Sequence, residues 1–234
     1  IDPDYADAAN NLAWLLLERQ QYEQALTLLN ETLSKAPRHE RALLNLGRLH
    51  FERQKYRDAL ACFDRALADR PRSGMAMMGR LSSLYELNRF DEALELADRI
   101  PGLAPSSASE ALAKKGEILM GLGRIDDARK AFDAGLAADP THVELLYARS
   151  QVLKAEPGDP YVAELPRISR KVSSLGGKQR AQLCYALGKI SADLGDMESA
   201  ARHYATGATA MLPQSTIAED AAKQFHATLM SGCT

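Results

Sequence analysis

The sequence predicts an all-α protein, a right-handed superhelical α-solenoid of helix–turn–helix repeats, on three observations. Small and apolar residues recur with a period of about 34 residues. Each period holds two amphipathic stretches of about 12 to 14 residues with apolar side chains at i, i+3, i+4 and i+7. A proline closes several periods where a second helix has to stop. The 234 residues therefore count repeats rather than domains. One helix pair cannot bury its apolar face alone, so neighbouring pairs must stack.

Taken in order, residues 1–5 read as the tail of a preceding repeat, because Ile1-Asp2-Pro3 matches the ending at Leu136 to Pro140; an earlier repeat is expected upstream. Repeats then fill 6–154. A unit from Ala6 carries Leu12, Ala13, Tyr22, Ala25, Leu29 and Pro37. The next, from Glu40, carries Leu46, Gly47, Tyr56, Ala59, Phe63, Ala66 and Pro71 at positions 7, 8, 17, 20, 24, 27 and 32. A unit from Gly74 is held by Phe90 and Ala93, and one from Ser109 by Gly116, Ala128, Phe132, Gly135 and Pro140. A unit opening at Val143 loses its second half. Small residues at positions 8, 20 and 27 let helices approach, and the aromatic at position 24 fills the space between pairs.

Residues 155–180 read as a modified repeat. Asp159 as N-cap and Pro160 at the first helical position start a helix, apolar spacing carries it to Leu175, Pro166 kinks it and Gly176-Gly177 ends it. A further unit spans 181–213, with Leu187, Gly188, Gly195, Ala200, Tyr204 and Gly207. Over 214–234, Thr216 and Glu219 form a capping box before Ile217, Ala221, Phe225 and Leu229, a terminal helix that would cover the last apolar face.

Composition narrows the function. With 29 basic and 31 acidic residues, the chain lacks the positive field that binding to nucleic acid or an anionic membrane depends on. No apolar run approaches the ~18 residues that span a bilayer, so direct membrane insertion is not expected. A cytoplasmic setting is expected, or a periplasmic one if a leader has been removed. Cys62, Cys184 and Cys233 are widely spaced and outline neither a disulfide framework nor a zinc site. The five histidines, His39, His50, His142, His203 and His226, have no partner at metal-ligand spacing. No catalytic constellation emerges, and no metal or cofactor is expected. Gly176-Gly177-Lys178 lacks the spacer and terminal Gly-Lys-Ser/Thr of a phosphate-binding loop.

The recurring positions resemble those of the tetratricopeptide repeat family along nearly the whole chain. Residues Arg180 to His203, reading RAQLCYALGKISADLGDMESAARH, look like the last repeat before the catalytic domain of bacterial tetratricopeptide–sulfotransferase fusions, which follows a GDP-type turn, here Gly158-Asp159-Pro160. Met197 departs from that phrase, as does the segment Ala208 to Leu212. The phosphosulfate-binding loop of such enzymes has no counterpart in the sequence.

The resemblance implies that positions 2, 5, 6, 9, 12 and 13 of each first helix line a concave groove. The groove candidates are then Asn10, Asn11, Trp14, Arg41, Asn45, Arg48, Phe51, Met78 and Tyr85, followed later in the chain by Lys114, Glu117, Met120, Tyr147, Gln151, Lys154, Tyr185 and Lys189. Aromatic and Met side chains on a concave strip are the residues that most often dominate interface energy. Asn11 and Asn45 share position 6 and resemble two rungs of the asparagine ladder in glycosyltransferase-linked repeats, each able to pair with a peptide amide; the ladder stops at Gly79. The family's carboxylate clamp for Hsp70 or Hsp90 tails is not expected. Of the residues at its positions, Asn10, Trp14, Asn45, Met75 and Gly79, only Asn45 fits. The expected role is a non-catalytic scaffold for an extended peptide or partner helix. The alternatives are the substrate-presenting arm of a sulfotransferase and a subunit of an envelope, exopolysaccharide or pilus assembly.

Overall fold

A computed structural model describes residues 3–211. The Thr216 capping box, the expected terminal helix, Cys233 and Ile1-Asp2 lie outside the described residues. The chain divides into two units, the first ending at Ile118 and the second beginning at Leu119. In the first, antiparallel pairs succeed one another: α1 (Pro3–Glu18) with α2 (Tyr22–Lys35), α3 (Glu40–Glu52) with α4 (Tyr56–Asp69), and α5 (Gly74–Glu86) with α6 (Phe90–Leu103). Helix α7 (Ala108–Gly121) follows and carries the unit boundary. The second unit continues with α8 (Ile125–Ala138), α9 (Val143–Val152), the short α10 (Leu165–Arg170), α11 (Gly177–Asp193) and α12 (Met197–Ala210). The fold class is the expected all-α repeat solenoid.

The turn inside each pair is made the same way. Gln20, Gln54, Asn88, Gly123 and Gly195 all stand at position 15 of their units, and all have a left-handed backbone with φ of 58, 59, 57, 74 and 85°. In the unit from Val143 this position is Pro157, whose ring fixes φ near −65°. The tight turn cannot form there. Instead of a second helix, the chain leaves α9 into a 3-10 turn at Pro160–Glu164, α10, and another 3-10 turn at Lys171–Ser174. The single kinked helix expected over this stretch is thus three short pieces. The first-helix starts repeat as well: His39 Nδ1 and His142 Nδ1 accept from Ala42 N and Leu145 N at 3.2 Å, and Ser73 Oγ accepts from Ala76 N at 3.4 Å. These side chains satisfy amides that the helix leaves unpaired.

Close packing depends on glycine at two places in the first unit. A Cβ on Gly47 would lie 2.7 Å from the Phe63 ring, and one on Gly79 would fall closer still. The ring of α4 is therefore wedged between α3 and α5, with no room for a side chain on either face. Gly188 repeats the arrangement in the second unit, where a Cβ would meet Tyr204 at 2.7 Å. Cys62 and Cys184 are buried, and burial pushes the Cys62 thiol up to about 11, which leaves it protonated and unreactive at neutral pH.

A ladder of ion pairs also follows the period. Arg80 Nε meets Asp64 Oδ1 at 2.7 Å, Lys115 Nζ pairs with Asp98, and Arg149 Nε meets Asp133 Oδ1 at 2.8 Å. Each cation stands at position 7 of its unit and each aspartate at position 25 of the preceding one, so the pairs join successive repeats.

Candidate functional site

Helix α3 packs against both α1 and α5, and the first helices of unit 1 form a groove in two connected recesses. The smaller, about 350 Å³, is walled by Asn10, Asn11 and Arg41; the larger, about 540 Å³, by Arg48, Phe51, Glu52, Phe63, Gly79 and Ser82. Trp14, Leu44, Asn45 and Met75 line both. Trp14 is 46% exposed and Met75 72% exposed, apolar groups in water at the mouth of a concavity. The Phe63 ring, mostly buried, reaches the floor of the larger recess because Gly79 has no side chain to cover it.

The structure sorts the expected groove residues. Asn11, Trp14 and Arg41 are exposed, while Asn45, Arg48, Phe51 and Tyr85 are half-buried. Position 5 is different. Asn10 is only 3% exposed, Leu44 9% and Met78 8%. In unit 1, residues at this position are buried between the first helices, although Asn10 and Leu44 still reach the recesses. Met78 joins the core of Leu81, Leu84 and Ile100, so it is no groove anchor; its neighbour Met75 takes that place. Asn10 keeps a polar role, its Oδ1 accepting from Asn45 Nδ2 at 2.8 Å.

That bond also revises the expected ladder. One of the two Asn45 N–H donors is spent across the seam on Asn10, so Asn45 is a positioned group with one donor and its carbonyl left for a ligand. Gly79 ends the ladder for a steric reason: Phe63 occupies the space a third rung would need.

The groove cations are tethered. Arg48 Nη2 meets Glu18 at 2.8 Å and its Nε meets Glu52 at 2.8 Å. Burial disfavours its charge, but the two carboxylates more than offset this and hold its pKa above the ordinary arginine value. Arg41 Nη1 lies 3.6 Å from Asp7. At the far end, the Tyr85 ring tilts against Phe90 and carries the Lys114 ammonium 5.0 Å from its centroid.

Unit 2 holds a different arrangement that sequence reasoning missed. Arg149, at a position where three other units have leucine, is 1% exposed. Its guanidinium reaches Asp133, Asp159 at 2.9 Å and the Tyr161 hydroxyl at 2.6 Å, and sits 4.5 Å from the Tyr161 ring. Tyr161 in turn donates to Asp159 at 3.1 Å, and burial pushes its phenol up. Asp193 accepts from the Ala155 amide at 3.0 Å and from Lys189 at 2.6 Å. Burial opposes its charge, yet these donors prevail and hold the carboxyl below its ordinary range. Nothing in the repeat column set Arg149 apart, since Arg80 and Lys115 are cations at the same position. Nearby, Tyr147, Gln151, Tyr185, Lys189 and Tyr204 line a recess of about 330 Å³.

Among the described residues, no group of three or more His, Cys, Asp or Glu could hold a metal ion, and no helix is long and apolar enough to cross a membrane.

Residues 10–56, 44–108 and 113–155 match one tetratricopeptide repeat family model, and 181–207 match a second. Solved structures share the fold. The pilF protein of Pseudomonas aeruginosa is 19% identical, with 94% of this chain and 98% of that chain covered and a TM-score of 0.61. PilW, described as a widely conserved type IV pilus biogenesis factor, is 20% identical over 92% and 97%, with a TM-score of 0.57. YrrB, described as having an unusual peptide-binding site, is 21% identical over 86% and 92%, with a TM-score of 0.53. No curated protein matches.

Proposed function

Because the chain belongs to the tetratricopeptide repeat family, we propose that it is a non-catalytic scaffold that holds an extended segment of a partner protein in the groove of unit 1. The observation that carries this reading is the pairing of exposed Trp14 and Met75 with a recess of about 540 Å³ floored by Phe63. Exposed apolar anchors around a concavity are costly in water and gain most when covered. Asn11 and Asn45 supply polar groups for a peptide backbone at the same place. A photo-crosslinking side chain at Met75 should trap a defined partner, identified by mass spectrometry, whereas one at exposed Glu31 on α2 should not. Trp14→Ala should reduce the trapped partner while leaving helicity unchanged. Equal trapping at both positions would remove the groove from consideration.

A second reading is that the array presents substrate to a sulfotransferase domain of the same protein. It rests on the resemblance of Arg180 to His203, after the Gly158-Asp159-Pro160 turn, to the last repeat of such fusions. Sequencing the flanking gene decides it, since a phosphosulfate loop within the next ~50 residues is required. An envelope or pilus assembly role shares its fold with pilF and PilW and would need a trapped partner from that machinery.

A further inference from the structure

The first helices of unit 1 present three groove residues each, at positions 6, 9 and 13: Asn11, Trp14 and Glu18; Asn45, Arg48 and Glu52; Gly79, Ser82 and Glu86. Spacings of three and four residues set each trio on one helix face. Since α3 lies against both α1 and α5, the trios form rows across the groove, and the last row is carboxylate throughout. Arg48 is shared between Glu18 and Glu52, while Glu86 makes no ion pair among the described residues. Lys114, whose ammonium lies 5.0 Å from the Tyr85 ring, is matched by its own Glu117 at 2.6 Å, and Arg89 by Glu92 at 2.6 Å. Set against Arg48 alone, the three carboxylates leave an excess of two negative charges, and the middle one, Glu52, walls the larger recess.

We propose that the occupant of the groove is a basic segment, an extended stretch of another protein in which an aromatic or aliphatic side chain seats on Phe63 and Met75 and a Lys or Arg reaches the Glu18–Glu52–Glu86 row. This rests on the groove reading above and adds the charge of the partner to it. From Gly79, which opens onto Phe63, to Glu86 is seven residues, about 10 Å along the helix, which an extended chain covers in about three residues, so an anchor seated on Phe63 and the basic residue stand about that far apart. Opposite charge across the rim speeds encounter and rejects acidic segments, and the attraction weakens with salt.

The test is selection of a random dodecapeptide display library on the full chain, with a Trp14→Ala/Met75→Ala variant as the counter-selection. Enriched peptides are expected to carry Lys or Arg two to four residues from an apolar anchor and to lack Asp and Glu. Synthetic copies are then titrated by fluorescence of Trp14, the single tryptophan of the chain. Glu18→Gln/Glu86→Gln, which leaves the Arg48–Glu52 pair in place, should bind them about tenfold more weakly and with less dependence on salt. Enrichment of neutral or acidic peptides, or undiminished binding by that variant, would overturn the basic segment and leave the groove standing. No enrichment over the counter-selected variant would overturn both.

Discussion

Arg80 with Asp64 in the first unit and Arg149 with Asp133 in the second are the same ion pair at the same two repeat positions, 2.7 and 2.8 Å long. Their surroundings differ. Arg80 and Asp64 remain partly in water, whereas Arg149 is sealed and also answers Asp159 and Tyr161. In unit 1 the polar groups of the groove keep capacity for a ligand. In unit 2 the corresponding charge is consumed internally, holding the irregular stretch that replaces a helix. The repeat position alone does not decide what a side chain contributes; the solvent around it does.

Substitution separates the two pairs most strongly. Arg149→Ala strands two carboxylates and a phenol in a buried site and should cost about 3–5 kcal/mol, read by urea unfolding. Arg80→Ala should cost less than about 1 kcal/mol. Equal losses would erase the contrast. An intermediate effect is expected at the Phe63 wedge. Gly79→Ala gains about 1 kcal/mol of helix propensity but overpacks the ring, at a cost of about 1–3 kcal/mol, for a net loss. Gly102→Ala in α6, where a Cβ meets nothing within 4 Å, should instead stabilise by up to about 1 kcal/mol; melting temperatures of both variants check the sign.

Acid offers a milder comparison. Burial works against the charge of Asp139 and Asp193, but hydrogen bonds and nearby cations hold both pKa values below the ordinary aspartate range. A depressed pKa gives stability that is complete above the unfolded value near 3.9 and is lost as pH falls through the lower folded value. Both groups lie in unit 2. Below about pH 4, amide exchange in α9 and α11 should therefore accelerate before that in α3 and α5, and the reverse order would contradict the assignment.

The helices, the repeat phase and the apolar mouth of the groove were legible because periodicity at 34 and 3.6 residues encodes which face is covered. Trp14 and Asn45 were placed on the groove by that phase together with the tetratricopeptide resemblance, which implied that first helices line a concave face. Two features were not legible. Met78 shares its repeat position with Asn10 and Leu44, and that position is buried by the neighbouring helices that pack on it, which the repeat phase does not reveal. Arg149 looked like any other solvated cation, since its partners Asp159 and Tyr161 come from a segment whose path the periodicity does not describe. Pro157 was in plain view, but its meaning required knowing that position 15 of every other pair is left-handed.

The Phe63 ring belongs at once to the core of unit 1 and to the floor of the groove. Whatever seats on it presses on a side chain that α3 and α5 clasp from both sides, so recognition and heat resistance are thermodynamically linked there. A bound segment at a hundredfold excess over its Kd should raise stability by about 2.7 kcal/mol. The melting curve of the free chain thus becomes a search instrument: partners can be ranked by how far they shift it, without a label and before any of them is known by name.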